Sequence, residues 1–145
     1  MVPMGEPNRV ACWLPLRHHP AQKIASHMFT FEKLEVWQKA IDFADLTYRL
    51  TRSFPQDERF GLTNQMRRAA VSISSNLAEG SSRNSHPDFA RFVEIATGSL
   101  FEVVSQAVIG RRQGFLTQEE FERIYHAAEE QGRMLSGLRR AILSG

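Results

Sequence analysis

Apolar residues recur every three to four positions along four separate stretches of the chain, and this spacing predicts four amphipathic helices. The predicted helices span Glu32–Ser53, the stretch that follows the Gln56–Glu58 turn as far as Gly80, His86–Gln113, and a last stretch that begins at Thr117. Pro55 ends the first helix, because proline cannot continue a helix. Thr117 and Glu120 form a capping-box pattern at the start of the fourth. No stretch alternates with period two, so no sheet is expected.

Helices of this length joined by short connections predict antiparallel neighbours, and therefore an all-α, up-down-up-down four-helix bundle over residues 28–145. Residues 1–27 hold four prolines and no periodicity, and they are predicted to form a disordered N-terminal extension. Met28 stands directly before the patterned sequence. It is therefore an alternative natural start, which leaves open whether residues 1–27 belong to the native protein.

The first predicted helix carries two apolar lines, which is more than one buried face requires. One line (Leu34, Trp37, Ile41, Ala44 and Tyr48) is assigned to the core. The other is assigned to contacts between subunits of a homo-oligomer, and its candidate interface residues are Val36, Ala40, Phe43 and Leu50. In the third helix, Ile95, Phe101 and Ile109 also point away from the predicted core line.

The outer face of the second helix is small and only half polar, whereas a solvated helix usually carries more Lys and Glu. Its candidate interface residues are Arg68, Val71, Ser75, Ala78 and Glu79. A guanidinium binds carboxylate or phosphate with two parallel hydrogen bonds. For Arg67 and Arg68 the pattern favours a subunit contact, for example to Glu79, and phosphate contact is the alternative. The candidate nucleic-acid-binding residues are Arg67, Arg68, Arg83, Arg111 and Arg112.

The formal charge of the chain is +2, but its location matters more than its size. Arg9, Arg17 and Lys23 against Glu6 account for the whole excess, so residues 28–145 are neutral. Bulk charge on the predicted bundle therefore gives no support for nucleic-acid binding, and only local clusters of arginine do. The single cysteine excludes an internal disulfide. No secretory signal or bilayer-length apolar run is evident, so we expect a cytoplasmic protein.

The predicted bundle offers little chemistry. His86 and His126 are its only histidines, and neither follows a Glu by three residues, as the di-iron site of helix bundles requires. The serines of the second helix have no histidine neighbour in sequence, and no glycine-rich phosphate loop is present. We therefore expect no metal, no cofactor and no enzymatic activity.

Three segments carry a resemblance to a bacterial family of four-helix bundle proteins encoded in intervening sequences of 23S ribosomal RNA genes. They are FEKLEVWQKAIDF at 31–43, TRSFPQDERFGLTNQMRRAAVSISSNLAEGSSR at 51–83 and FARFVEIATGSLFEV at 89–103. The resemblance implies a barrel-shaped homopentamer. A related branch includes the accessory protein of diversity-generating retroelements, which works with a reverse transcriptase and nucleic acid.

Two functional hypotheses follow. The first is a non-enzymatic protein associated with RNA or DNA, whose modest basic spots are multiplied around the axis of a ring. The second is a protein-interaction scaffold or accessory subunit with no direct contact to nucleic acid. Local arginine clusters and the family resemblance favour the first, while the neutral charge of residues 28–145 favours the second. The sequence names neither a nucleic-acid target nor a partner protein.

Overall fold

Four long helices dominate the computed structural model, which describes residues 29–145 and contains no strand in that range. The helices are α1 (Glu35–Thr51), α2 (Leu62–Ser81), α3 (His86–Arg112) and α4 (Gln118–Ser144), with single 3₁₀ turns at Thr30–Lys33 and Gln56–Glu58. The predicted all-α class is confirmed. The predictions about residues 1–27 and Met28 lie outside the described residues.

Side-chain caps set the starts of α3 and α4. The Ser85 hydroxyl accepts the Asp88 backbone N–H at 3.2 Å. At α4 the Thr117 hydroxyl accepts the Glu120 N–H at 3.1 Å, and the Glu120 carboxylate accepts the Thr117 N–H at 2.9 Å. The predicted capping box is therefore present. The first helix begins later than predicted, because Leu34 has an extended backbone after the 3₁₀ turn.

The helices close in the order α1, α2, α3, α4, and each one packs against two others. Their facing stripes form a single apolar core, whose most deeply buried members include Ala40, Met66, Ala70, Ile73, Leu77, Val93, Ala96, Val103 and Leu135. Buried Gln131 of α4 donates its amide to the Val36 carbonyl of α1 at 3.1 Å. The Ser99 hydroxyl of α3 donates to the Ser72 hydroxyl of α2 at 2.9 Å.

The assignment of the two faces of α1 was wrong. Val36, Ala40, Phe43 and Leu50, predicted as interface residues, are all buried in the core of the single chain. The line predicted to be buried is instead half-buried or exposed, and Tyr48 is 40% exposed. The reason lies in Thr47 and Thr51, which extend the buried stripe. Each donates its hydroxyl to the carbonyl four residues earlier, at 2.9 and 2.7 Å, so neither is buried unsatisfied.

The α1–α2 and α3–α4 connections meet at one end of the bundle, which we call the connection pole (residues 52–61 and 111–117). Phe54 is buried there, with its ring centroid 5.5 Å from that of Phe115. A Cβ at Gly110 would lie 3.2 Å from the Phe54 ring, so the missing side chain allows this close approach. The positive φ of Gly114 turns the chain toward α4.

Within the described residues α3 is the one helix long and apolar enough to cross a membrane by length and composition, which the sequence analysis did not anticipate. Core helices of globular proteins pass the same test, and α3 packs between α2 and α4. Only 33% of its most apolar window is buried inside this chain, however. The helix therefore presents apolar surface that residues 29–145 do not cover.

Candidate nucleic-acid interface

Arg67 is held against α1 rather than presented to solvent. Its Nε donates to the Thr51 hydroxyl at 3.0 Å, and Nη2 donates to the Tyr48 carbonyl at 3.4 Å. The guanidinium also lies 4.6 Å from the centroid of the Tyr48 ring. These contacts occupy the planar fork that phosphate would need, so Arg67 joins α1 to α2.

Arg83 is engaged by acidic and aromatic neighbours in its own chain. It pairs with Glu79 at 2.9 Å and with Asp88 at 3.8 Å. Its guanidinium lies 4.7 Å from the Phe92 ring centroid. Glu79 is therefore the partner of Arg83 here, and not of Arg67 or Arg68 as the sequence suggested.

Arg111 braces the α3–α4 connection at the pole. Its Nε donates to the Gln118 side chain at 3.1 Å, and Nη1 donates to the Leu116 carbonyl at 3.5 Å. Leu116 is buried, so these bonds hold the chain where it turns from α3 into α4. This role is structural, as it is for Arg67.

Arg68 and Arg112 differ from the other three candidates. Both side chains are exposed, and neither makes a hydrogen bond or ion pair within the part of the chain that the structure describes. Arg68 lies on the outer surface of α2, and Arg112 ends α3 at the connection pole. The five candidates therefore divide into three that hold the fold and two that remain free for an external anion.

The other predicted interface residues of α2 do lie on its outer face. Val71 is 41% exposed, Ser75 and Glu79 are exposed, and Ala78 is half-buried. Beside this row runs the line of α1 that the sequence analysis had assigned to the core. Together these residues form an outward surface that we call the α1/α2 face: Trp37, Ile41, Ala44, Tyr48, Val71 and Ala78.

A second apolar surface lies on α3, and we call it the α3 face: Ile95, Gly98, Phe101 and Ile109. Ile95, Phe101 and Ile109 are 42%, 67% and 48% exposed, as their positions off the core line predicted. A Cβ at Gly98 would meet nothing within 4 Å. Glycine inside a helix costs about 1 kcal/mol relative to alanine, and no contact within residues 29–145 requires a glycine at this position.

Phe60 is the residue that the sequence analysis missed. The sequence analysis does not single it out, yet Phe60 in the α1–α2 connection is 82% exposed. The Arg59 guanidinium lies 4.8 Å from its ring centroid. Its place between a polar turn and the α2 stripe was the available signal, because it belongs to no core line.

Residues 29–145 show no metal-binding site. No group of three or more His, Cys, Asp or Glu side chains is placed to bind an ion there. His126 lies 3.2 Å from Glu129 on the exposed surface of α4, which is an ordinary helix-surface pair.

Comparison with known proteins finds a similar crystal structure and a matching family model. A crystal structure of a protein of unknown function from the S23 ribosomal protein family of Bacteroides thetaiotaomicron VPI-5482 superposes with a TM-score of 0.65. It is 23% identical, and the match covers 72% of this chain and 97% of that one, which shows a shared fold. No curated protein sequence gives a significant match. The family model for the 23S rRNA-intervening sequence protein matches residues 32–137. That match spans most of the chain, which therefore belongs to the 23S rRNA-intervening sequence protein family.

Proposed function

We propose that this protein is a non-enzymatic RNA-associated protein that contacts phosphates through Arg68 and Arg112. The observation that carries the proposal is that both side chains are exposed and make no hydrogen bond or ion pair in residues 29–145, whereas Arg67, Arg83 and Arg111 each bond to other residues of the chain. A free guanidinium loses only water when it binds a phosphate, whereas an engaged one must first break its bonds within the chain. One such pair gives weak binding, so the proposal also requires repetition of the pair in an assembly.

The assembly we propose is a homo-oligomeric ring, built from subunits whose helices run up, down, up and down. Two contacts support the antiparallel order of α2 and α3. Ser72, in the middle of α2, bonds to Ser99 in the middle of α3, whereas Gly80, late in α2, lies against Phe92, nearer the start of α3. Arg68 and Arg112 are then repeated once in each subunit.

A ring of more than two subunits requires two different contact surfaces on every subunit. The α1/α2 face and the α3 face meet this requirement, because each of α1 and α3 packs between α2 and α4 and the two occupy diagonal corners of the bundle. We infer that the α1/α2 face of one subunit packs on the α3 face of the next. Gly98 then allows close approach of the neighbouring helix.

A salt titration tests the RNA proposal. Binding of a fluorescein-labelled RNA is measured by anisotropy for the wild type, Arg68→Glu and Arg112→Glu. The logarithm of the affinity of single strands falls by about 0.7 per phosphate contact for each unit of log salt concentration. Each variant is expected to weaken binding and flatten this slope.

Arg139→Glu supplies the matched control, because it makes the same charge change at a residue that already pairs with Glu94 at 2.7 Å. It should weaken binding less than either test variant. Equal losses in all three variants would indicate a bulk charge effect and contradict the assigned contacts. Absence of binding by the wild type at low salt would contradict the function itself.

The second candidate function is a protein-interaction scaffold. The neutral charge of residues 28–145 and the exposed apolar side chains of α3 favour it. It becomes the better explanation if the assembly forms but the anisotropy of labelled RNA does not change.

A further inference from the structure

Phe60 is exceptional among the exposed apolar side chains of the described chain. Its 82% exposure exceeds the 67% of Phe101, the next highest value, and it lies in a connection rather than on a helix face. Phe54, only six residues earlier, anchors the same connection in the core. The exposure of Phe60 is therefore a local property of the turn and does not result from a detached loop.

Hydrogen bonds fix the turn that presents the Phe60 ring. The backbone N–H of Glu58 donates to the Pro55 carbonyl at 2.9 Å, and that of Gly61 donates to the Glu58 carbonyl at 3.0 Å. The Glu58 carboxylate accepts the Leu62 N–H at 2.9 Å and so caps the first turn of α2. The backbone at Phe60 is thus fixed by hydrogen bonds on both sides. A ligand that binds the ring therefore costs little backbone conformational entropy.

Phe60 lies in a turn that carries both signs of charge, the guanidinium of Arg59 and the carboxylates of Asp57 and Glu58. The Arg59 guanidinium packs near its ring at 4.8 Å. Arg112 ends α3 at the same pole, and its side chain makes no hydrogen bond or ion pair in residues 29–145. An exposed ring beside one guanidinium, with a second free arginine at the same pole, matches the way proteins bind single strands, with bases stacked on aromatic side chains and phosphates held by arginines.

We propose that Phe60 stacks on an unpaired nucleobase, so that the nucleic acid bound at the connection pole is single-stranded. Arg59 supports the ring and Arg112 lies near the strand backbone. A base pair inside a duplex has no free face to offer a side chain, and a duplex therefore gains nothing from Phe60. This inference rests on the proposed function and specifies the form of nucleic acid that the same site accepts.

The test compares Phe60→Ala, Phe60→Leu and Phe60→Trp in the full chain. Anisotropy is measured with a labelled single-stranded oligouridylate and with an RNA duplex of the same length. Loss of one stacked base corresponds to a drop in affinity of about 5-fold or more. We expect that drop for the Ala and Leu variants with the single strand and no change with the duplex. The Trp variant should retain binding, and its added fluorescence should be quenched by the oligonucleotide.

The Leu variant separates stacking from simple apolar contact, since leucine keeps an apolar side chain but has no ring. Wild-type affinity of Phe60→Leu for the single strand would overturn the proposal. Equal losses of affinity for the single strand and the duplex would also overturn it. A lower assembly mass of Phe60→Ala in light scattering would do the same, because it would make Phe60 a subunit contact. If Arg68→Glu and Arg112→Glu weaken binding while the Phe60 variants do not, stacking is wrong and the RNA function stands. If the wild type binds neither RNA, both are wrong.

Discussion

Arg67 and Arg68 are neighbours in sequence but have opposite environments. The Arg67 guanidinium bonds to Thr51 and lies over the Tyr48 ring, whereas Arg68 is exposed and has no partner in the described chain. Adjacent helical residues point about 100° apart, so a pair of basic residues on a helix rarely acts as a unit. The sequence identified the pair. Which arginine contacts α1 and which is exposed became clear only from the position of α1 in the structure.

Arg67→Ala and Arg68→Ala test this division. Arg67→Ala removes a hydrogen bond to a partly buried hydroxyl and a cation–π contact, and we expect it to lower the free energy of unfolding by about 1–2 kcal/mol. Arg68→Ala should change it by less than about 0.5 kcal/mol, as surface substitutions usually do. Urea unfolding followed by circular dichroism measures both values. Equal effects on stability would contradict the assignment.

At the scale of elements, a single glycine allows α2 and α3 to pack closely. A Cβ at Gly80 of α2 would lie 2.7 Å from the Phe92 Cβ and 2.8 Å from the Phe89 ring in α3. Backbone-anchored atoms such as the Phe92 Cβ cannot move aside without separating the two helices. Gly80 is therefore a packing residue as well as a helix residue, although the sequence suggested only a helix end.

Gly80→Ala is expected to lower the free energy of unfolding by about 1–3 kcal/mol, the usual effect of overpacking a core. Gly137→Ala in α4 is the matched control, because a Cβ there meets nothing within 4 Å. The control should raise the free energy of unfolding by up to about 1 kcal/mol through helix propensity alone. Thermal unfolding of the two variants and the wild type measures these changes. A Gly80→Ala protein more stable than the wild type would contradict the packing argument.

Helix existence and caps were predictable from sequence, because apolar spacing and the Thr117–Glu120 box are local signals. The buried face of α1 was not, because its two apolar lines are similar in strength and the buried one contains Thr47 and Thr51. Their burial depends on hydroxyl bonds to the preceding turn, which hydrophobicity alone does not reveal. Phe60 escaped notice for the opposite reason, since an exposed aromatic residue leaves no periodic pattern.

For the whole molecule, the proposed ring depends on two unlike faces that residues 29–145 of a single chain leave uncovered. Val71 represents the α1/α2 face and Phe101 the α3 face, and both are exposed in the single chain. A self-complementary contact uses one patch twice and stops at a dimer, whereas a head-to-tail contact uses two patches and continues until it closes. Variants that disable one face each therefore distinguish the two arrangements.

Val71→Glu and Phe101→Glu should each reduce the assembly to the 16.5 kDa chain in light scattering, because each removes one side of every head-to-tail contact. Mixing the two variants should restore a single contact, between the intact α1/α2 face of one and the intact α3 face of the other. The product is a heterodimer that cannot grow, since its outer faces are both disabled.

Leu143→Glu controls for adding a charge at an exposed apolar position, because Leu143 is 49% exposed near the end of α4 and belongs to neither face. Self-association of either variant alone would instead require a self-complementary contact, and wild-type mass in both would exclude these faces from the assembly.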